Sequence, residues 1–193
     1  MTTSTTKKYA ALLRGINVGG AKKVPMAQLR EVLEELGHTG VQTYLQSGNA
    51  VFTAPDQDPA GLARALERAI EARFGFHVAC LVVDGPYLRA VADACPYPAA
   101  ELEGKQLHAT FLSEQPAPDR FAALDREAFL PEEFTLGDRV IYVYAPHGLG
   151  RSKLAEALSR PALVKGIDAT TRNWNTVAKL VELTAVAEGE RHR

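Results

Sequence analysis

The order of its apolar segments limits what this chain can fold into. Tyr9–Leu13 is a short apolar run ending at Arg14-Gly15, as expected of a buried strand. A glycine-rich stretch, Gly15–Lys23, follows it. Pro25 then opens a segment in which Met26, Leu29, Val32, Leu33 and Leu36 recur at helical spacing, until Gly37 stops it. Val41–Leu45 and Asn49–Thr53 read as strands around the turn Gln46-Ser47-Gly48. Asp58-Pro59 has the form of a cap and first-turn proline for a second helix. Leu62, Leu66, Ala69, Ile70 and Phe74 form its stripe, and Gly75 ends it. Phe76–Val83 is a further apolar run, long enough for a central strand.

Asp84-Gly85-Pro86 begins another helix, to about Ala94. Cys95-Pro96-Tyr97-Pro98 cannot continue it, because each proline disfavours the helical region for the residue before. After this connection the order nearly repeats. Leu107–Leu112 reads as a strand, Asp119–Phe129 as a helix, and Glu133–Leu136 and Val140–Tyr144 as strands around Gly137-Asp138. Ser152–Leu158 reads as a helix, Ala169–Thr171 as a short closing strand, and Trp174 to about Ala187 as a terminal helix. Each half then has the order β-α-β-β-α-β, the ferredoxin-like arrangement. The expectation is an α+β protein of two ferredoxin-like subdomains, duplicated and closely packed or intertwined. Residues 7–94 form the first half, 95–104 the connection, and 105–188 the second half with its terminal helix. The duplication rests on element order alone, since the halves show no residue-level repetition.

With 46% hydrophobic and 23% charged residues over 193 positions, the chain can bury a core, and global disorder is excluded. The opening MTTSTTKK lacks the apolar region of a signal peptide. No apolar run approaches the roughly 18 residues needed to span a bilayer. A soluble, cytoplasmic protein is expected. Cys80 and Cys95 match no zinc spacing and make no disulfide framework.

The net charge of −1 does not mark a nucleic-acid binder, but its distribution is uneven. Up to Arg30 there is no acid, while Lys7, Lys8, Arg14, Lys22, Lys23 and Arg30 give +6. Residues 31–150 carry 8 basic and 18 acidic side chains, and 151–181 return to +4. If folding brings the two basic segments together, a near-neutral chain acquires one positive face.

Glycine-bearing loops sit in both basic segments. Arg14-Gly15-Ile16-Asn17-Val18-Gly19-Gly20-Ala21-Lys22-Lys23 joins a strand to a helix, where backbone N–H groups can meet an anion. Gly20-Ala21-Lys22 breaks the G-K-[ST] order of a P-loop, and Gly15 to Gly19 does not match a dinucleotide fingerprint. The structural alternative is a tight connection whose glycines supply positive φ. In Gln46-Ser47-Gly48-Asn49 the side chains first suit local turn bonding; the functional alternative places Tyr44, Ser47 and Asn49 at one end of the sheet, near the first loop. Gly148-Leu149-Gly150-Arg151-Ser152-Lys153 offers Ser152 as an N-cap beside two cations. Thr170–Thr176 gathers hydrogen-bonding side chains and Arg172 around the only tryptophan, with Asn173 or Asn175 as a cap. Arg172 and the spare asparagine are then expected either to satisfy buried carbonyls across the junction between the halves or to hold a ligand there. No histidine pair has metal spacing, and no catalytic constellation, metal site or cofactor can be nominated.

The stretches ALLRGINVGGAKKVPMAQLREVLEELG and VQTYLQSGNAVF resemble the opening of the domain-of-unknown-function 1697 family. KQLHATFL, VIYVYAPHGLGRSKL and TTRNWNTVAKL extend the likeness from about Tyr9 to Leu183. The resemblance implies a two-subdomain α+β fold of ferredoxin-like halves and a bacterial source. It implies no established reaction, cofactor or substrate. Cys95-Pro96-Tyr97-Pro98 departs from the asparagine-proline-phenylalanine pattern of relatives, which argues against a role for Cys95.

Three function classes follow. The first is a pocket for an anionic small molecule, phosphate- or nucleotide-like, lined by Arg14, Asn17, Gly19, Gly20, Lys22, Ser47, Asn49, Ser152, Lys153, Arg172 and Asn173. The second is a structural or protein-interaction domain without a small ligand. The third is single-stranded nucleic-acid binding, against which the absence of an RNP1 pattern counts; only Tyr142 and Tyr144, two apart on one strand, offer bases a stacking pair.

Overall fold

A computed structural model describes residues 5–185. Among them, β1 (Thr6–Leu13), β2 (Thr39–Tyr44), β3 (Asn49–Pro55) and β4 (Cys80–Asp84) form one antiparallel sheet of order β2-β3-β1-β4. β5 (Leu107–Leu112), β6 (Glu133–Gly137), β7 (Val140–Tyr144) and β8 (Ala169–Asn173) form another, of order β6-β7-β5-β8. In each sheet the first strand lies between the third and the fourth. The architecture is α+β, with two four-stranded antiparallel sheets. Contacts divide the chain into two compact units. The first holds the described residues up to Leu88 and those from Leu180 on; the second holds Arg89–Lys179.

In the first unit, helices α1 (Met26–Glu35) and α2 (Pro59–Phe74) cover one face of the sheet. The sequence sets their limits. Asp58 caps α2 by accepting from the amides of Ala60 and Gly61, both at 3.1 Å, and Gly75 ends it at φ 78°. Leu29 and Leu33 of α1 and Leu66 and Ile70 of α2 are buried against Tyr9, Ala11, Leu13 and Phe52. Each such aliphatic side chain stabilises the fold by about 1.5–3 kcal/mol. That outweighs the exposed clamp of Arg73 on Glu35, 2.6 Å long, because surface ion pairs contribute little.

Phe76–Val83 does not form one strand. β1 ends at Leu13, paired with Cys80, so residues before Cys80 have no neighbouring strand to bond. The Cys80 amide instead donates to Glu67 Oε1 at 2.9 Å, and the Arg14 amide to the Ala79 carbonyl at 3.0 Å.

In the second unit, α4 (Lys153–Leu158) and α5 (Pro161–Val164) pack over one sheet face, with Phe121, Phe134, Ile141, Leu154 and Leu163 buried in that core. The other face carries Tyr142, whose hydroxyl donates to the Val91 carbonyl at 2.7 Å. Val91 lies on α3 (Gly85–Asp93). The helix expected over Asp119–Phe129 is instead two short 3-10 turns, Pro118–Phe121 and Glu127–Phe129. Asp125 explains the break, because its Oδ1 accepts from the Glu127 amide at 3.2 Å, a local bond that competes with a helical one. The closing strand runs two residues further than expected, to Asn173. The last helix, α6 (Trp174–Thr184), starts where expected, and Ala187 lies outside the described residues. Among the described residues, no helix is long and apolar enough to cross a membrane.

Candidate functional site

The loop after β1 turns back on itself through left-handed residues. Gly15, Gly19 and Gly20 have φ of 67°, 60° and 77°, and Asn17 and Lys22 share that region at 56° and 46°. The Ala21 amide donates to the Val18 carbonyl at 3.2 Å and closes the tip. A Cβ added at any of the three glycines would meet nothing within 4 Å, so they serve the turn and not a close approach.

Asn17 organises this loop. Its Nδ2 donates to the carbonyls of Val24 (3.0 Å) and Gln46 (2.8 Å), and its Oδ1 accepts from the Val24 amide at 2.9 Å. The Gln46 bond ties the loop to the β2–β3 turn. From the turn's side, the Leu13 amide donates to the Gly48 carbonyl at 2.8 Å. Asn49 is buried, and its Nδ2 donates to the Tyr44 carbonyl and to Ser47 Oγ. Lys22 Nζ donates to the His77 carbonyl at 2.9 Å. Thus Arg14, Asn17, Gly19, Gly20, Lys22, Ser47 and Asn49 gather at one end of the first sheet. Asn17 and Asn49 hold it together.

Arg14, Lys22, Lys23 and Ser47 are exposed there, and the side chains of Arg14 and Lys23 have no partner among the described residues. Val18 and Leu45 are also exposed, at 68% and 52%.

Three of the four second-unit candidates have local partners. Ser152 caps α4, its Oγ accepting from the Ala155 amide at 2.9 Å, while Lys153 is exposed. Arg172 is buried on β8; its Nη1 donates to Thr170 Oγ1 (2.8 Å) and the Thr171 carbonyl (2.9 Å). Burial lowers its pKa to about 10. Asn173 caps α6 by accepting from the Thr176 amide at 3.0 Å.

Two other buried titratable groups are shifted toward their neutral forms. His108 is buried on β5, its Nδ1 has no hydrogen-bond partner, and desolvation pushes its pKa down to about 4. Burial, then the charge of Glu67, raises the pKa of the Cys80 thiol far from reactivity. Among the described residues, no group of three His, Cys, Asp or Glu side chains could hold a metal ion. The expected stacking pair is not available to bases: Tyr142 is 2% exposed, and Tyr144 stacks on Tyr97 with ring centres 6.0 Å apart.

A hollow of about 390 Å³ in the second unit escaped the sequence reading. Tyr97, Phe129, Leu130 and Phe134 line it together with Arg126 and Glu133. Its only sequence signal is the acidic character of the middle segment, which reads equally as a solvated face.

Fold and surface together define an α+β protein with two antiparallel sheets and a basic, glycine-turned end on the first. Residues 6–142 match the model of the family described as "Protein of unknown function (DUF1697)", and the chain belongs to that family. It is also similar to a solved structure, the conserved bacterial protein SP0830 from Streptococcus pneumoniae. The likeness has a TM-score of 0.74 and 26% identity, over 94% of this chain and 100% of that one. Comparison with curated proteins gives no match.

Proposed function

We propose that the first unit binds an anionic small molecule, phosphate- or nucleotide-like, at the sheet end formed by residues 14–23 and 45–48. One observation carries this reading: Asn17 fixes the loop to the Gln46 turn while the cations of Arg14 and Lys23 stay exposed and unpartnered among the described residues. A framework ordered in advance reduces the entropy cost of binding, and charged hydrogen bonds are the strong ones. Ser152, Lys153, Arg172 and Asn173 are not needed for this reading.

Isothermal titration with inorganic phosphate, AMP and ATP tests the proposal. Saturable binding that weakens with salt is expected, about tenfold weaker in Arg14→Ala and in Lys23→Ala, each a loss of roughly 1.4 kcal/mol. Affinity equal to that of wild type in both variants, or no heat with any of the three anions, would overturn it. The exposed Val18 and Leu45 favour a second reading, a protein-binding surface at the same sheet end. Loss of anion binding alongside capture of a partner through these two residues would favour that reading.

A further inference from the structure

We infer that the second unit carries a separate site for an organic cation: a substituted ammonium on an apolar or aromatic body. The site is the hollow of about 390 Å³ beside Tyr97 and the segment 126–135, a volume in the range of small-molecule sites, roughly 300–1,000 Å³. Its walls are apolar and aromatic, with Tyr97, Phe129, Leu130 and Phe134 among the lining residues. Leu130, one of these lining residues, is 60% exposed.

The charged groups around these walls select the sign of the ligand. Glu127, Glu132 and Glu133 face a single cation, Arg126. That cation is held against Phe134. Its guanidinium carbon lies 4.1 Å from the centre of the Phe134 ring, and Nη1 donates to the Phe134 carbonyl at 2.9 Å. Glu132 is engaged as well, accepting from the Leu154 amide at 3.0 Å. The carboxylates of Glu127 and Glu133 have no partner among the described residues. A second hollow shares Arg126 and Glu127 and adds Asp125, so the excess of carboxylates extends beyond the first.

An anion would meet three carboxylates against the single charge of Arg126. A small inorganic cation would gain nothing from the apolar walls. An alkyl- or arylammonium satisfies both features, because its charge meets the carboxylates and its carbon surface is removed from water. The aromatic residues among the walls other than Phe134, whose ring already holds Arg126, add attraction for a cation.

Titration of the full chain with benzyltrimethylammonium at low ionic strength tests the site, with benzyl alcohol and benzoate as neutral and anionic controls. Saturable binding at least tenfold tighter than benzyl alcohol is expected, with benzoate weaker still. The Glu127→Gln/Glu133→Gln double variant should bind at least fivefold more weakly with an unchanged thermal midpoint. Leu130→Lys, which tethers a competing cation at the exposed mouth, should weaken binding without disturbing the core. Absence of binding, benzoate binding as well as the cation, or undiminished affinity in both variants would overturn the inference. Phosphate titration of the same variants reads the first-unit site independently, so either proposal can fail alone.

Discussion

Asn17 and Val24 hold each other through two hydrogen bonds: the side-chain amide reaches the Val24 carbonyl at 3.0 Å, and the Val24 amide returns to Oδ1 at 2.9 Å. Val24 is fully buried, so its backbone has no water to fall back on. Asn17→Gly keeps the left-handed backbone accessible and removes only the side chain. It should cost about 1–3 kcal/mol in urea unfolding, the cost of leaving buried polar groups unsatisfied. Asn17→Asp should cost at least as much, because a carboxylate faces two carbonyls that need donors. A loss below about 0.5 kcal/mol in the glycine variant would mean that the loop keeps its shape without the clamp.

His108 makes stability depend on pH in the acid range. In the unfolded chain it takes up a proton near pH 6.5, whereas in the fold desolvation holds its pKa at about 4. As pH falls through that window the unfolded state binds the proton first, so stability present above pH 6.5 is lost progressively down to about 4. The difference is on the order of 3 kcal/mol. His108→Phe removes the titration and should flatten the part of the acid slope that wild type shows between those values. Parallel slopes for both proteins in denaturant series from pH 7 to 4 would refute this account.

How far the sequence could be read depended on how local the cause was. Helices α1 and α2 are marked by Pro25, Gly37, Asp58 and Gly75, residues whose effect is felt within a turn, and they lie close to the expected positions. The helix expected over 119–129 failed for a reason equally local but quieter, the Asp125 side chain bonding the amide two residues on. The early end of β4 was not legible, because it depends on where β1 stops, many residues away. At the candidate site, the glycines of 15–20 announced a turn, but nothing in the order of residues revealed that Asn17 would reach Gln46. The hollow near Tyr97 was hidden for a similar reason. It joins the connection between the halves to a segment some thirty residues later, and each piece alone looks like an exposed loop.

Gly48 is a position where backbone conformation and space act together. Its φ is 91°, and an added Cβ would lie 2.8 Å from both Leu13 Cβ and Ile16 Cδ1. Ile16 is buried, so it cannot swing into solvent. Gly48→Ala should therefore destabilise by about 2–4 kcal/mol, left-handed strain adding to overpacking. Gly19→Ala, which has the strain but open space around it, should cost only about 1–2 kcal/mol. Equal losses in thermal or urea unfolding would show that the Ile16 contact yields.

Tyr142 sets a corresponding limit at alkaline pH. Its hydroxyl donates to the Val91 carbonyl at 2.7 Å, and burial, reinforced by the charges of Cys95 and Asp138, raises its pKa to about 12. An unfolded tyrosine ionises near pH 10, so the unfolded state loses its proton first. The stability this phenol contributes is complete below pH 10 and is lost as pH rises toward 12. Tyr142→Phe should lower stability at neutral pH by about 1–3 kcal/mol, since the Val91 carbonyl loses its donor. The same variant should show a shallower alkaline decline than wild type. A variant as stable as wild type at pH 7, declining with the same slope above pH 10, would show that the Val91 bond contributes nothing to the fold.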